Sequence, residues 1–517
     1  EDGRTDTIRI IGLGGVDMNA SNRVFLFVAN LQYEDAASLT LDIKTYSELP
    51  VGDEGVLARF VSTHDPQYAY EVEQAFNYNT PGGGAKIYLI RMDSGVWRGA
   101  QEVEETLWQH TLLVLEPFNV NKNTGMLYIT GDTDIMELLA VNEENSLLGM
   151  LGALAISSRS VVSLLTNVPN QPLNFLDETL PLSDDKLLAY SFDKYISGYD
   201  EGNRDAAWPV LLPMTRAAVR AMDTVQDFMA DKPGRVQDIE DFIVSGVAKQ
   251  GWTAWLAGAV DSRVSAIIPV AADILNLDAQ MKHHANVYAG YPPNSSEKFV
   301  YEGYSSAWRD YVNYDIFNRL DMPAGESLLK IIDPYQYKTL LTIPKLLVNS
   351  TGDQYLPPDT SRFFVDDLSG VNYLHFASNV DFSVLEVADL GDDTMEAIGA
   401  FYIAQTNNSR LPTFTAAYDE ETTTITVTAS ETPLSVHFWY ANTAQSRDFR
   451  MQTLGDKWVG RSVPASLDGS YSATIGEPES GWNAGYMQLR MKGPFSGIDH
   501  IFTTRVWITP DTYPQAP

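Results

Sequence analysis

Apolar and polar positions alternate in three short runs near the start of the chain, "TIRIIGL", "RVFLFVANL" and "LTLDIKTY". A period of two marks half-buried strands, so residues 1–50 are expected to form a β-rich extension. The polar segment "SELPVGDEG" then breaks the pattern as a turn or linker. From about Val56 to Gln405 two kinds of segment take turns. "GMLYIT" (125–130) and "KLLVNS" (345–350) are short apolar runs that end in polar turns, as buried strands do. "SLLGMLGALAISS" (146–158) and "AAWPVLLPMTRAAVRAMDTVQDFMA" (206–230) carry apolar residues at helical spacing. Such alternation predicts an α/β fold over residues 51–406, with a central, mostly parallel sheet flanked by helices.

After "NNSRLP" (407–412) the helical spacing stops. "TTTITVTAS", "LSVHFWYA", "YSATIG", "YMQLRMK" and "FTTRVWI" are short, β-rich and separated by turns. They predict a C-terminal all-β sandwich over residues 407–517, close to the usual size of about 100 residues for such a unit. No uninterrupted apolar run reaches about 18 residues, so no membrane-spanning helix is expected.

One stretch carries a chemical question. "FIVSGVAKQGWTAW", Phe242 to Trp255, reads as a buried strand, a Gly-rich turn and the start of a helix. Many hydrolases present a nucleophile at such a turn. The position that would hold it, Ala248, carries only a methyl group.

Charge narrows the partners. The chain of 517 residues has 68 acidic against 35 basic residues, a net charge of −33. Such a surface repels polyanions, which argues against nucleic acid and favours positively charged proteins, divalent cations or a salty medium. Cysteine is absent. That excludes disulfides, Cys nucleophiles and thiolate metal sites together. Four N-x-S/T sequons, at Asn19, Asn294, Asn349 and Asn407, are candidate glycosylation sites and point toward a secretory route. The first residue is Glu1 rather than Met, which is expected of a processed or trimmed N-terminus. "YDEGNRDAAW" (199–208) groups Asp200, Glu201, Asn203 and Asp205. It has some of the spacing of a Ca²⁺ loop but lacks the twelve-residue pattern with a closing Glu. A solvated helix N-terminus, where acids suit the dipole, is the preferred reading.

Several segments together resemble the PhoPQ-activated pathogenicity-related proteins, a family that includes secreted bacterial members. They include "ARFVSTHDPQYAYEV", "SGVWRGAQEVEETLWQH", "SVVSLLTNVPNQPLNF", "SGVAKQGWTAWLAGAVDSRV", "DPYQYKTLLTIPKLLVNSTGDQYLPPDT", "ANTAQSRDFR" and "GWNAGY", in order from about Val56 to Pro510. The resemblance implies an α/β-hydrolase domain followed by a β-sandwich. It also implies a Ser in a G-x-S-K-x-G-W elbow, an Asp in a G-D turn, and a His in a P-N-x-x-H loop. In such a triad the hydroxyl attacks, the imidazole takes its proton and the carboxylate fixes the imidazole tautomer.

Against that pattern the elbow reads Gly246-Val247-Ala248-Lys249-Gln250-Gly251-Trp252. Asp353 in "NSTGDQYLPPDT" matches the acid. "SNVDFSV" (378–384) matches the His loop and puts Phe382 where the His belongs. The oxyanion loop matches "ITGDTDI" (129–135), placing Gly131, Asp132 and Asp134 there beside Lys249, and carboxylates would oppose a developing negative charge. Of the seven histidines, His375 lies seven residues before Phe382, a reach of about 23 Å when extended. His283 and His284 follow "DAQMK" between elbow and acid, and as helix neighbours they would point about 100° apart. Lys249 is expected to pair with an acid, Trp252 to pack in the core, and "RDFR" (447–450) to hold an internal ion pair.

The expectation is a secreted, catalytically inactive α/β-hydrolase homologue without a cofactor, working through a protein partner or self-association. Two alternatives stand beside it. One is an active esterase or peptidase with Ala in place of its nucleophile. The other is a structural subunit of an extracellular assembly, pairing through the N-terminal strands.

Overall fold

The computed structural model describes residues 52–514, apart from 81, 134, 141–146, 233–237, 386–391 and 496. The β-rich extension expected over residues 1–50 lies outside the described residues.

Fully apolar segments become the middle strands because both of their faces are covered, as in parallel sheets generally. The first part of the chain contributes β1 (Ala69–Thr80), β2 (Gly83–Val96), β3 (Leu107–Pro117), β4 (Thr124–Ile129), β5 (Val162–Leu165), β6 (Asp241–Val247) and β7 (Val264–Val270). Three two-residue strands, β8 (Asn294–Ser295), β9 (Val300–Tyr301) and β10 (Tyr304–Ser305), form a small separate sheet. Then come β11 (Lys345–Ser350) and β12 (Asn372–Ala377). All six residues of β4 and of β11 are buried. The spatial order is β1-β2-β3-β5-β4-β6-β7-β11-β12, with parallel pairing from β5 through β12 and antiparallel pairing before it.

Side chains alternate between two cores, one on each face of this sheet. Leu127, Val244, Ile267 and Leu347 join one core, with the helices Asp184–Asp200, Leu211–Asp231 and Lys249–Val260. Their neighbours Met126, Ile243, Ile268 and Leu346 join the other, with Leu148 and Leu151 of helix Leu147–Ser158 and Phe401 of helix Asp393–Thr406. This is the α/β-hydrolase-type arrangement that the resemblance implies.

The C-terminal strands are β13 (Phe414–Asp419), β14 (Thr424–Ala429), β15 (Ser435–Thr443), β16 (Val459–Ser462), β17 (Tyr471–Thr474), β18 (Trp482–Phe495), β19 (Ile498–Thr503) and β20 (Trp507–Thr509). β13, β14 and β17 form one antiparallel layer. Ile425 and Val427 on it share a core with Phe438, Met487 and Leu489 of the layer opposite. That opposite layer is not separate. β19 pairs with β12 at Leu374↔Thr503, so β19-β18-β15-β16 continue the central sheet. The sandwich therefore shares a wall with the α/β part, which a boundary drawn near residue 407 does not convey. Among the described residues no helix is long and apolar enough to cross a membrane.

Candidate functional site

The three triad-matching positions follow the C-terminal ends of β6, β11 and β12. These strands are parallel, so Ala248, Asp353 and Phe382 leave the sheet along one edge. Ligands of open α/β sheets gather at that edge.

The turn at Ala248 is a strained elbow. Its backbone angles are φ 50° and ψ −118°, a conformation that L-residues rarely adopt. The Ala248 N–H donates to Val270 O (2.9 Å) and its carbonyl accepts from Trp252 N (2.9 Å). The glycines on either side permit the strand and helix to cross closely. A Cβ on Gly251 would lie 2.6 Å from Ala272 Cβ and 2.8 Å from Gly246 O, and one on Gly246 would lie 2.7 Å from the Gln250 carbonyl carbon. Lys249 pairs with Asp184 (3.1 Å). Trp252 is buried and donates from its indole to Ile332 O (2.6 Å).

Gln250 joins the elbow to the oxyanion-loop region, donating to Val168 O (2.7 Å). Asn167 N in turn donates to Gly131 O (2.8 Å). Asp132 is exposed to solvent, and Asp134 lies outside the described residues.

Asp353 is buried, and one of its carboxylate oxygens accepts from Tyr355 N (2.6 Å) and Leu356 N (3.3 Å). Burial pushes its pKa up to about 7; the two backbone N–H groups oppose that rise, and the charge of Asp381 adds to it. Sequence reasoning missed a second acid, Asp273, just past β7. It is also buried, accepts from Asn349 Nδ2 (2.8 Å), and is pushed up to about 7 by burial, with Asn349 lowering and Asp353 raising it further. The available signal was an aspartate directly after a parallel strand, at the ligand-facing end of the sheet.

Phe382 is half-buried and packs edge-on against Tyr355, ring centroids 5.5 Å apart at 75°. Tyr355 bonds to the half-buried Asp185 (3.1 Å) and accepts at its carbonyl from the Trp308 indole (2.7 Å). An aromatic group thus occupies the side of the site that the resemblance assigns to an imidazole.

Four of the histidines bond to groups other than Asp353. His375 sits between Ile501 O and Thr394 Oγ1, both at 3.1 Å. His284 is buried and accepts from Ser305 N (3.0 Å). His283 shares hydrogen bonds with Tyr513 Oη (2.9 Å) and Asp359 (3.1 Å). That row looks like a relay, but Arg447 also holds Asp359, at 2.8 Å, and keeps its carboxyl well below the usual range. His110 bonds to Ser94, and His64 is exposed.

Several other expectations meet the coordinates. Arg450 and Asp448 form a buried pair (2.7 Å), while Arg447 reaches outward from "RDFR" to Asp359. The 199–208 segment is not a helix N-terminus: Asp200 ends the helix Asp184–Asp200 and Glu201 is its C-cap, because the helical pattern begins earlier, at "SDDKLL". Asp205 is tied to Arg98 (2.8 Å) and to Ala207 N, so it is not free for Ca²⁺, and among the described residues no group of three or more His, Asp or Glu could hold a metal. Of the sequons, Asn294 and Asn407 are exposed, whereas Asn349 is buried in β11 with its amide on Asp273, leaving no room for a glycan. Asn19 lies outside the described residues.

A model of the family described as PhoPQ-activated pathogenicity-related protein matches residues 57–450. Autocrine proliferation repressor protein A of Dictyostelium discoideum is 28% identical over 480 residues, covering 88% of this chain and 90% of that protein. Among solved structures, acetyl xylan esterase 1 from Thermoanaerobacterium sp. is similar with a TM-score of 0.41 and 12% identity, over 64% of this chain and 89% of that one. A glucuronoyl esterase from Solibacter usitatus gives 0.42 and 11%, over 68% and 91%.

Proposed function

The chain belongs to the family of PhoPQ-activated pathogenicity-related proteins, and from that membership we propose that it is an α/β-hydrolase homologue that no longer hydrolyses and acts outside the cell by binding. One observation carries the reading. The Asp353 carboxylate rests on backbone N–H groups, with a phenyl ring at the imidazole position and a methyl group at the nucleophile position. A triad works as a unit: without a hydroxyl there is no attack, and without an imidazole there is no proton acceptor. The acidic oxyanion loop disfavours the same chemistry. Exposed sequons at Asn294 and Asn407 support release from the cell. So does the name of the Dictyostelium relative, an autocrine repressor, which denotes a protein acting back on the cells that make it.

The test is turnover of p-nitrophenyl esters and aminoacyl p-nitroanilides by purified protein. We expect rates equal to a heat-inactivated control, both for the chain as it stands and for Ala248→Ser. Activity that persists through repurification would overturn the proposal. A second reading, a serine hydrolase with Ala in place of its nucleophile, draws on the elbow, where Ala248 keeps a strained φ that binding alone does not require. A gain of about a thousandfold or more from Ala248→Ser alone would favour it.

A further inference from the structure

One opening in the described residues lies away from the elbow. A cleft of about 820 Å³ lies where the sandwich meets the α/β part, between β13 on one side and β12 with the 503–511 segment on the other. Its wall on the sandwich side is one face of β13, where Phe414, Ala416 and Tyr418 recur at strand spacing. β13 pairs with β14 along its whole length, and among the described residues no strand lies on its other edge.

That edge is unguarded in a way that the β1 edge of the central sheet is not. β1 carries a bulge between Val72 and Gln74 and presents Glu71 and Glu73, devices that discourage strand addition. β13 runs in unbroken register, has no Pro, and carries no charge before Asp419.

Three residues of its lining carry a buried polar atom that has no hydrogen-bond partner among the described residues. The atoms are Thr503 Oγ1, Asn372 Oδ1 and the Trp507 indole N–H. Thr503 is 1% exposed. The rim is acidic. Its two arginines are already engaged, Arg362 with Asp511 (2.8 Å) and Arg505 with Asp366 (2.9 Å), whereas Glu420 and Glu477 have no cationic partner among the described residues.

We propose that this cleft binds an extended, basic peptide segment of a partner protein, added as a strand beside β13. Main-chain N–H and C=O groups of the segment pair with the open edge, and its alternate apolar side chains enter between Phe414 and Tyr418. Its lysines or arginines meet Glu420 and Glu477. Six residues of β13 offer about 20 Å of edge, room for one short strand. A second copy of this chain fits poorly, because two molecules of net charge −33 repel. The assignment does not depend on whether the elbow is inert.

The experiment uses full-length protein and a fluorescein-labelled probe, Lys-Val-Arg-Val-Lys-Thr, followed by anisotropy. Two comparison peptides carry Glu at the basic positions or N-methyl groups on alternate residues. The basic probe should bind, weaken as salt rises, and bind at least tenfold tighter than either comparison. Ala416→Arg, at an exposed position on the cleft wall, should cost at least tenfold. So should the surface pair Glu420→Lys with Glu477→Lys, which leaves the core untouched and whose fold is checked by an unchanged circular dichroism melt. No binding of the basic probe overturns the proposal. Equal binding of the N-methylated peptide, or full binding by the charge-reversed variant, overturns it too, since contact would then lie elsewhere on the acidic surface.

Discussion

Asp353 shows how a buried carboxylate behaves when backbone N–H groups are its hydrogen-bond donors. With an imidazolium beside it, a buried carboxylate keeps its charge; here burial, with a neighbouring acid adding and two backbone N–H groups opposing, raises its pKa to about 7. The sign follows directly. The folded state holds the proton more tightly than the unfolded chain, so this group's contribution to stability is complete below about pH 4 and is lost as pH rises through about 7. Asp353→Asn keeps an acceptor for Tyr355 N and removes the titration. Its advantage in urea melts should be near zero at pH 4 and grow to roughly 2–4 kcal/mol at pH 8, at ~1.4 kcal/mol per pKa unit. A difference that does not change with pH, or a less stable variant at pH 8, would contradict this account. At this scale the sequence was informative where a motif is local, as in placing Ala248 at an elbow and Lys249 beside an acid. Asp273 escaped because its relation to Asp353 exists only once β7 and β11 lie side by side.

The elbow itself is an element-scale device: a strand, one strained residue and a helix held close by two glycines. Gly251 has no room for a side chain, with Ala272 Cβ and Gly246 O both inside van der Waals range of an added Cβ. Gly251→Ala should therefore cost about 3 kcal/mol in a denaturant melt, at the upper end for overpacking a rigid core. A cost below about 1 kcal/mol would mean that the crossing relaxes easily. Elements with a strong period were read correctly: "KLLVNS" coincides with β11, and "SLLGMLGALAISS" contains the helix Leu147–Ser158. The 199–208 segment was misjudged because a run of acids suits either side of a helix boundary, and only the hydrogen bonds of Glu201 back to Ser197 and Tyr199 settle which.

Across the whole molecule, the C-terminal strands were legible as β structure but not as an extension of the central sheet, since pairing between residues about 130 positions apart leaves no local trace. That continuity has a mechanical consequence. β12 meets β19 at one residue pair, yet the junction is reinforced on both sides. Arg490 of β18 ties to Asp393 (2.6 Å) and Glu396 (2.8 Å) of the helix that closes the α/β part. Arg447 reaches Asp359, and Arg450 donates to Lys298 O (2.7 Å) and Phe299 O (2.9 Å). Arg447 and Arg450 are buried and Arg490 is half-buried, so parting the two regions would strand the first two charges at a cost of several kcal/mol each. A self-contained sandwich would melt by itself; a shared wall with buried charged ties should not. Thermal unfolding followed by tryptophan fluorescence and by far-ultraviolet circular dichroism should give one coincident transition. Two resolved transitions, or a stable, monomeric fragment ending near residue 406, would show that the sheet's two halves are separable after all.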